Sequence, residues 1–149
     1  MQTDFLVIGS GIAGLTYALK VAEECPGKTV TILTKTQSDE TNTKYAQGGI
    51  AGVMDFDHDS FQKHIDDTII AGDGLCNKHI VEIVIKEGVD RINEIIEWGA
   101  RFDKEADGDY KLGKEGGHSE SRILHHKDVT GREMERALLE AVNNKPNIK

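Results

Sequence analysis

The residues with the clearest chemical role lie near the start of the chain, in Gly9-Ser10-Gly11-Ile12-Ala13-Gly14. Their spacing, G-x-G-x-x-G, is typical of the turn that binds the pyrophosphate of a dinucleotide. The first glycine permits the tight turn, the second lets the backbone approach the pyrophosphate, and the third lets the next helix pack closely. The free N–H groups at the start of that helix then face the anion. The segment therefore predicts a dinucleotide site.

The elements around this segment supply the context that the motif needs. An unbroken apolar run, Phe5–Ile8, is typical of a buried parallel strand, and residues 12–22 place their apolar side chains on one helical face. A second strand is predicted at 29–33. Strand, helix and strand make one βαβ unit, so the predicted fold class is α/β, with a Rossmann-like domain and a parallel sheet.

The end of the second strand departs from the usual pattern. An acidic residue there normally binds the adenosine ribose, but this strand leads into Thr34 and Lys35. Lys35 is predicted to approach the ribose or phosphate side of the nucleotide. A lysine would also suit a 2′-phosphate, so NADP stays open as an alternative, as does an exposed lysine with no ligand.

A second candidate binding segment lies in a predicted loop over residues 36–54. A loop of this length in a compact domain is usually functional or disordered. Its two adjacent glycines would let a flat cofactor lie against backbone, with amides free to hydrogen-bond it. The segment consists of Asn42, Thr43, Lys44, Tyr45, Ala46, Gln47, Gly48 and Gly49.

Helix signals organise the rest of the chain. Asp59 is predicted to cap a helix that runs to about Ala71, and Asn77 a longer helix that stops near Gly99. Residues 103–121 are predicted to form a loop or small hairpin. The pattern Thr130-x-x-Glu133 predicts a capping box that opens a last helix.

Composition excludes several classes of protein. The 149 residues carry a formal charge of −8, which disfavours nucleic-acid and anionic-membrane partners. No apolar run approaches the ~20 residues of a membrane-spanning helix, and the first residues have no basic region typical of a signal peptide. Cys25 and Cys76 form no CxxC pattern, so neither a disulfide scaffold nor a metal site is expected. A cytoplasmic location is predicted.

Several cationic side chains lie close together late in the sequence. One interpretation is a patch that attracts a dicarboxylate or the phosphates of the bound nucleotide. The other, favoured for each histidine singly, is solvated loop residues with one buried histidine. The residues are His118, Arg122, His125, His126 and Lys127.

Taken together, these motifs resemble the flavoproteins of the succinate dehydrogenase and fumarate reductase superfamily, and within it the L-aspartate oxidase family. Four segments occur in the family's order, and a fifth pattern, H-x-x-D-x-T-G, follows them. The segments are Gly9–Leu15, Tyr45–Ala51, Asp67–Gly72 and Glu115–Ser119, and the fifth pattern is matched by His125, Asp128, Thr130 and Gly131.

The resemblance implies FAD as the cofactor. By position, the family's FAD contacts fall on Ser10, Gly11, Ile12 and Ala13, on Lys35, and on the stretch from Asn42 to Gly49. In the dehydrogenases a histidine bonded to the flavin occupies the position of Asn42. An amide cannot form that bond, so the FAD is expected to be non-covalent.

Glu115 is the candidate residue for substrate choice. The dehydrogenases have an apolar or neutral residue before the paired glycines, where this chain has Glu115. A carboxylate is a natural partner for an ammonium group, which aspartate has and succinate lacks. Glu115 is therefore expected to orient the substrate amine, the alternative being a solvated loop glutamate.

The activity implied is oxidation of L-aspartate to iminoaspartate, the first step of NAD biosynthesis, with electrons passed to oxygen or fumarate. Residues 1–149 are then expected to be the N-terminal part of the FAD-binding domain. The capping domain with its catalytic arginine, and the C-terminal helical domain, would lie outside the chain, and the fragment alone would be inactive. Alternatives are a fumarate reductase or succinate dehydrogenase flavoprotein, a non-catalytic nucleotide-binding module, and an NADP-dependent reductase.

Overall fold

A computed structural model describes residues 2–149, which form four helices and four short strands. Two compact units divide the chain. The first holds the chain up to Gln47 together with Ile95–Arg101 and Val129–Lys149, and the second holds Gly48–Glu94 and Phe102–Asp128. The elements in order are β1 (Phe5–Ile8), α1 (Ile12–Glu24), β2 (Val30–Leu33), β3 (Ile50–Ala51), α2 (Phe61–Ala71), α3 (Lys78–Glu97), β4 (Ile123–Leu124) and α4 (Thr130–Asn143).

The first unit is built on a parallel sheet. Strands β1 and β2 pair in parallel, with Phe5 opposite Val30 and Ile8 opposite Leu33. Near the end of the chain Ile148 forms a further parallel bridge with Val30. The predicted α/β class with a parallel sheet is confirmed, and the backbone of residues 147–149 hydrogen-bonds to β2 around this bridge.

Helix α1 holds this unit together through two sets of buried side chains. Ala18 and Ala22 pack against Val7 and Val30 of the sheet, and their small size lets the helix lie close to the strands. On another side of α1, the fully buried Leu15 and Leu19 pack against residues of α4, which are Leu138 and Val142. The core thus fixes the start of α1 relative to the end of β1, where the glycine-rich turn lies.

The second unit contains a short antiparallel pair that the sequence does not predict. Ile50 pairs with Leu124 and Ala51 pairs with Ile123. Each strand is only two residues long, too short for an alternating pattern to emerge. The predicted hairpin in 103–121 is present as an isolated bridge between Lys104 and Tyr110.

The sequence predicted the N-terminal cap of α3 correctly but not that of α2. The prediction for α2 is wrong, because Ser60 is the N-cap and its Oγ accepts from the backbone N–H of Lys63 at 3.2 Å. Asp59 instead binds an arginine. For α3 the prediction is confirmed, since the Asn77 side chain accepts from the N–H of Ile80 at 3.3 Å. Gly99 follows this helix with φ +103°, which suits a helix stop.

The predicted capping box of α4 is wrong. Thr130 is the first helical residue, Val129 is the N-cap, and the cap makes no side-chain hydrogen bond. Glu133 accepts from the backbone N–H of Arg101 at 3.0 Å and from the side chain of Arg136. Glu133 is used in tertiary contacts, so it cannot reach back to the start of its own helix.

Within residues 2–149, no helix combines the length and the apolar character needed to cross a membrane.

Candidate functional site

The glycine-rich turn has the backbone conformation that its sequence predicts. Gly9 has φ +104°, a region that favours glycine, and its N–H donates to the Leu33 carbonyl at 2.8 Å. A Cβ placed on Gly14 would overlap the carbonyl of Gly9. The first glycine of the motif therefore makes the turn, and the third lets α1 pack against it.

The start of α1 offers unpaired donors. Gly11 is the N-cap and supplies no side chain, while the N–H of Ile12 donates to the Thr43 Oγ at 3.1 Å. Among residues 2–149, the N–H groups of Ala13 and Gly14 have no acceptor. Free N–H groups at the positive end of a helix suit an anionic ligand. The donor set fits the diphosphate of a dinucleotide.

Ser10 and Lys35 lie beside this turn with different exposures. The Ser10 side chain is buried, and its hydroxyl donates to the Thr34 hydroxyl at 3.2 Å, so only its backbone can face a ligand. Lys35 comes two residues after the end of β2, whose last residue, Leu33, pairs with Ile8 just before the glycine-rich turn. The Lys35 side chain is exposed. Its ammonium has no ion-pair partner within residues 2–149.

The segment from Asn42 to Gln47 is anchored at its backbone. The Ala46 carbonyl accepts from the N–H of Gly131 at 3.0 Å, and the Thr43 side chain contacts α1 as described. A Cβ on Gly131 would overlap the Thr43 carbonyl and lie 2.7 Å from that of Ala46. Helix α4 therefore abuts this segment at a distance that only a glycine permits.

Two side chains of this segment are already engaged. Lys44 forms an ion pair with Asp39 at 2.8 Å, and the hydrogen bond to that carboxylate raises the pKa of Lys44. The Tyr45 hydroxyl donates to Glu40 at 2.6 Å, and this bond raises the pKa of the phenol. Asn42 and Gln47 are exposed and have no side-chain partner among residues 2–149.

In the second unit, the Glu115 carboxylate lies beside Gly48. A Cβ on Gly48 would be 3.7 Å from Glu115 Oε1, while one on Gly49 would overlap the side chain of Ile123. Glu115 is exposed, and its carboxylate makes no hydrogen bond or ion pair within residues 2–149. The structure thus brings Glu115 next to Gly48 and leaves the acid, among residues 2–149, free to bind a cation.

Arg122 lies at the centre of a buried ion-pair network that sequence reasoning missed. Its side chain is fully buried, and its Nε and Nη2 each donate to Asp59 at 2.8 Å, while Nη1 donates to Asp67 at 2.6 Å. Burial opposes ionisation of Asp67, but the Ser119 backbone N–H, Arg122 and the Ser119 hydroxyl outweigh it and lower its pKa to about 2. Charged pairs of this kind persist in an interior only when well hydrogen-bonded.

The predicted cationic patch does not include Arg122, because its charge is buried and neutralised. His125 and His126 lie 3.3 and 3.7 Å from Asp103, so a carboxylate faces them too. His118 stacks edge-to-face on His64 with ring centroids 5.9 Å apart. Burial, with Arg122 nearby, lowers the pKa of His64. The interpretation as a patch that attracts anions is therefore wrong for Arg122.

A cavity of about 470 Å³ in the first unit contains an unusual carboxyl group, that of Glu135. Glu135 is 2% exposed, and neither oxygen has a hydrogen-bond partner within residues 2–149. Burial raises the pKa of this carboxyl, and the nearby Thr41 hydroxyl offsets the effect only in part. The cavity is lined by Asp39, Lys44, Arg132, Glu135, Arg136, Leu139, Glu140, Asn143 and Asn144.

We expect Glu135→Gln to stabilise the first unit near neutral pH. A folded-state pKa above the unfolded value gives stability that is present below the unfolded pKa and lost as pH rises through the folded pKa. Glutamine removes this loss, so the variant should be more stable than wild type at neutral pH, and the difference should shrink in acid. Urea denaturation across a pH series measures the difference. Glu24→Gln, at an exposed position of α1, is the control, and a constant difference across pH would contradict the expectation.

Comparison with known proteins identifies the fold around these features. The sequence family described as "FAD binding domain" matches residues 4–149. The chain belongs to this FAD-binding domain family. The cofactor is accordingly FAD, which fits the glycine turn and the free N–H groups of α1, and the NADP alternative raised by Lys35 is not supported.

Curated relatives of this FAD-binding domain include L-aspartate oxidases. The chain is 53% identical over 145 residues to the chloroplastic L-aspartate oxidase of Arabidopsis thaliana, covering 97% of this chain and 22% of that protein. It is 47% identical over 150 residues to the L-aspartate oxidase of Yersinia pestis, covering 98% of this chain and 27% of that protein. The chain thus spans about a quarter of the length of these relatives.

Solved structures with the same fold include flavoprotein subunits. The FrdA subunit of Escherichia coli quinol fumarate reductase is 30% identical with a TM-score of 0.93, covering 100% of this chain and 25% of that chain. Mycobacterium smegmatis Sdh1 is 33% identical with a TM-score of 0.86, covering 99% of this chain and 26% of that chain. The superfamily suggested by the motifs is therefore confirmed.

Proposed function

We propose that this FAD-binding domain is part of an enzyme that oxidises L-aspartate to iminoaspartate, the first step of NAD biosynthesis. FAD would supply the oxidising chemistry when bound, with oxygen or fumarate as the final electron acceptor. The observation that carries the substrate choice is the unpaired, exposed carboxylate of Glu115 beside Gly48, together with relatives that are named L-aspartate oxidase.

Glu115 would serve as the partner of the substrate ammonium group. A charge-assisted hydrogen bond from an ammonium to a carboxylate is about twice as strong as a neutral one. Since the carboxylate has no partner within residues 2–149, binding the substrate would not require it to break an existing bond. Succinate and fumarate carry no amine and gain nothing from this residue.

The FAD contacts in this proposal are the glycine turn, Lys35 and the segment from Asn42 to Gly49, as the sequence predicts. Ser10 and the first residues of α1 would contribute backbone N–H groups, since the Ser10 side chain is buried. An exposed amide, Asn42, cannot bond covalently to a flavin, so the FAD would be released by denaturation.

We further propose that residues 1–149 are the N-terminal part of a longer FAD-binding domain. Leu6, Ile8 and Leu33 lie on one face of the β1–β2 sheet and are 56%, 81% and 57% exposed. Parallel sheets normally have both faces covered. Further elements of the domain would cover this face, and the capping domain with its catalytic arginine, and the helical domain, would follow. The enzyme would be cytoplasmic in bacteria.

Anaerobic mixing of the full-length protein with its substrates tests the proposal. L-aspartate is expected to bleach the visible absorption band of the flavin, because two electrons pass to the cofactor, and re-oxidation by air should yield peroxide. The matched control is succinate at the same concentration. Bleaching by succinate and not by aspartate would instead support the second candidate, a succinate dehydrogenase or fumarate reductase flavoprotein, which the similarity to FrdA favours. No bleaching by either would leave a non-catalytic nucleotide-binding module.

A further inference from the structure

The loop that carries Glu115 is closed at its base and turned at its tip. The Arg122 N–H donates to the Gly113 carbonyl at 3.0 Å, which brings the two ends together. At the tip, the His118 N–H donates to the Glu115 carbonyl at 3.1 Å, and Gly117 has φ +90°. Gly117 is the third residue of this turn, where a type II turn requires a positive φ. Glu115 therefore occupies the first position of a turn with a fixed backbone.

Asp67 of α2 holds the other side of this turn. Its Oδ2 accepts from the Ser119 N–H at 2.7 Å and from the Ser119 hydroxyl at 2.8 Å. The same oxygen accepts from the buried Arg122 at 2.6 Å. Three donors on one ionised oxygen make a strong, directional anchor. The other ion pair of the loop, between Lys63 and Glu120, is partly exposed and contributes little.

Asp67 is itself fixed through Arg122. Arg122 uses Nε and Nη2 for both oxygens of Asp59, which leaves Nη1 directed at Asp67. Its guanidinium is planar and fully buried, so the two carboxylates are held in one geometry. Asp59 thus binds Arg122, Arg122 binds Asp67, and Asp67 binds Ser119. Ser119 comes directly after the turn that begins at Glu115.

We propose that Asp67 is a positioning residue that sets where the Glu115 carboxylate meets the substrate ammonium group, an inference that rests on the proposed function. Asp67 touches no substrate itself. It acts through Ser119 and the turn, so that the acid is held in place before the substrate binds. Replacing Asp67 should make the turn more mobile, so that the Glu115 carboxylate samples a wider range of positions. The charge of Glu115 itself, which would bind the ammonium group, is unchanged.

The experiment measures loop protection and substrate choice in the full-length holoenzyme. We expect Asp67→Asn to speed amide hydrogen exchange of residues 116–119 about tenfold, because a neutral amide replaces the charge-assisted acceptor. It should lower kcat/KM for aspartate about tenfold and that for fumarate, which has no amine, less than about twofold. Asp66→Asn is the matched control, since Asp66 is exposed on the same helix and, within residues 2–149, its side chain hydrogen-bonds only to Gln62.

Ser119→Ala tests the same link if Asp67→Asn fails to fold. It removes the hydroxyl donor but leaves the buried charges of Arg122 and its two partners in place, and Ser121→Ala, at an exposed neighbouring position, is its control. In a double variant with Glu115→Gln, Asp67→Asn or Ser119→Ala should lower kcat/KM for aspartate little further. Both changes in the double variant act on the same contact, that between the Glu115 carboxylate and the substrate ammonium group. Unchanged exchange, or losses that multiply fully with Glu115→Gln, would overturn the proposal. The exchange result is independent of turnover, so inactivity of wild type towards aspartate would refute the proposed function alone.

Discussion

Replacing Gly131 by alanine is expected to destabilise the first unit and release FAD. The new Cβ would overlap the Thr43 carbonyl and would lie 2.7 and 2.9 Å from the carbonyl oxygen and Cβ of Ala46. The obstacles are mainly backbone atoms, which cannot rotate away as a flexible side chain can. Overpacking in a dense core usually costs about 1–3 kcal/mol, and this contact should lie at or beyond the upper end. Since the Gly131 N–H also bonds Ala46, the displaced segment is the one proposed to bind FAD.

The measurements are urea denaturation and the ratio of bound flavin to protein after gel filtration. Gly88→Ala is the matched control, because Gly88 lies within α3 and a Cβ there meets nothing within 4 Å. Alanine is the better helix former by roughly 0.5–1 kcal/mol, so this control should be slightly more stable than wild type. If Gly131→Ala retained wild-type stability and full flavin content, the close contact between α4 and the segment would be refuted.

Glu115→Gln is expected to separate the two kinds of substrate. The variant keeps the shape of the side chain and loses its charge, so the ammonium of aspartate loses an ionic partner while fumarate loses nothing. Hydrogen bonds to charged groups contribute about 1.5–3 kcal/mol, which corresponds to a fall of about 13- to 160-fold in kcat/KM for aspartate. The fumarate reductase activity of the same preparation should change less than about twofold.

Steady-state kinetics on the full-length holoenzyme with both substrates make this comparison. Glu87→Gln, at an exposed position of α3 with no partner among residues 2–149, controls for the loss of one negative charge. An equal loss of activity on aspartate and fumarate would show that Glu115 supports the loop or the cofactor and does not bind the amine.

Much of the site could be predicted because its signals are local. The turn at Gly9, the apolar strand before it and the amphipathic α1 after it are neighbours in sequence, and each is dictated by the conformational freedom of glycine or by side-chain periodicity. The Asn77 cap and the stop at Gly99 are local in the same sense. The predicted caps at Asp59 and Thr130 were wrong because tertiary partners compete with local ones. Asp59 satisfies the buried Arg122, and Glu133 accepts a hydrogen bond from the backbone of Arg101.

The sequence by itself determined the parallel α/β start of this FAD-binding domain, its glycine turn and the acid before the paired glycines. Only the tertiary structure decided that Arg122 is buried between Asp59 and Asp67 and that α4 meets the Thr43–Ala46 segment at Gly131. It also decided that the Glu115 carboxylate has no partner in the described part of the chain. Arg122 and Asp59 are 63 positions apart. Contacts over such separations are fixed by how complete elements pack, and no pattern within a few residues specifies that packing.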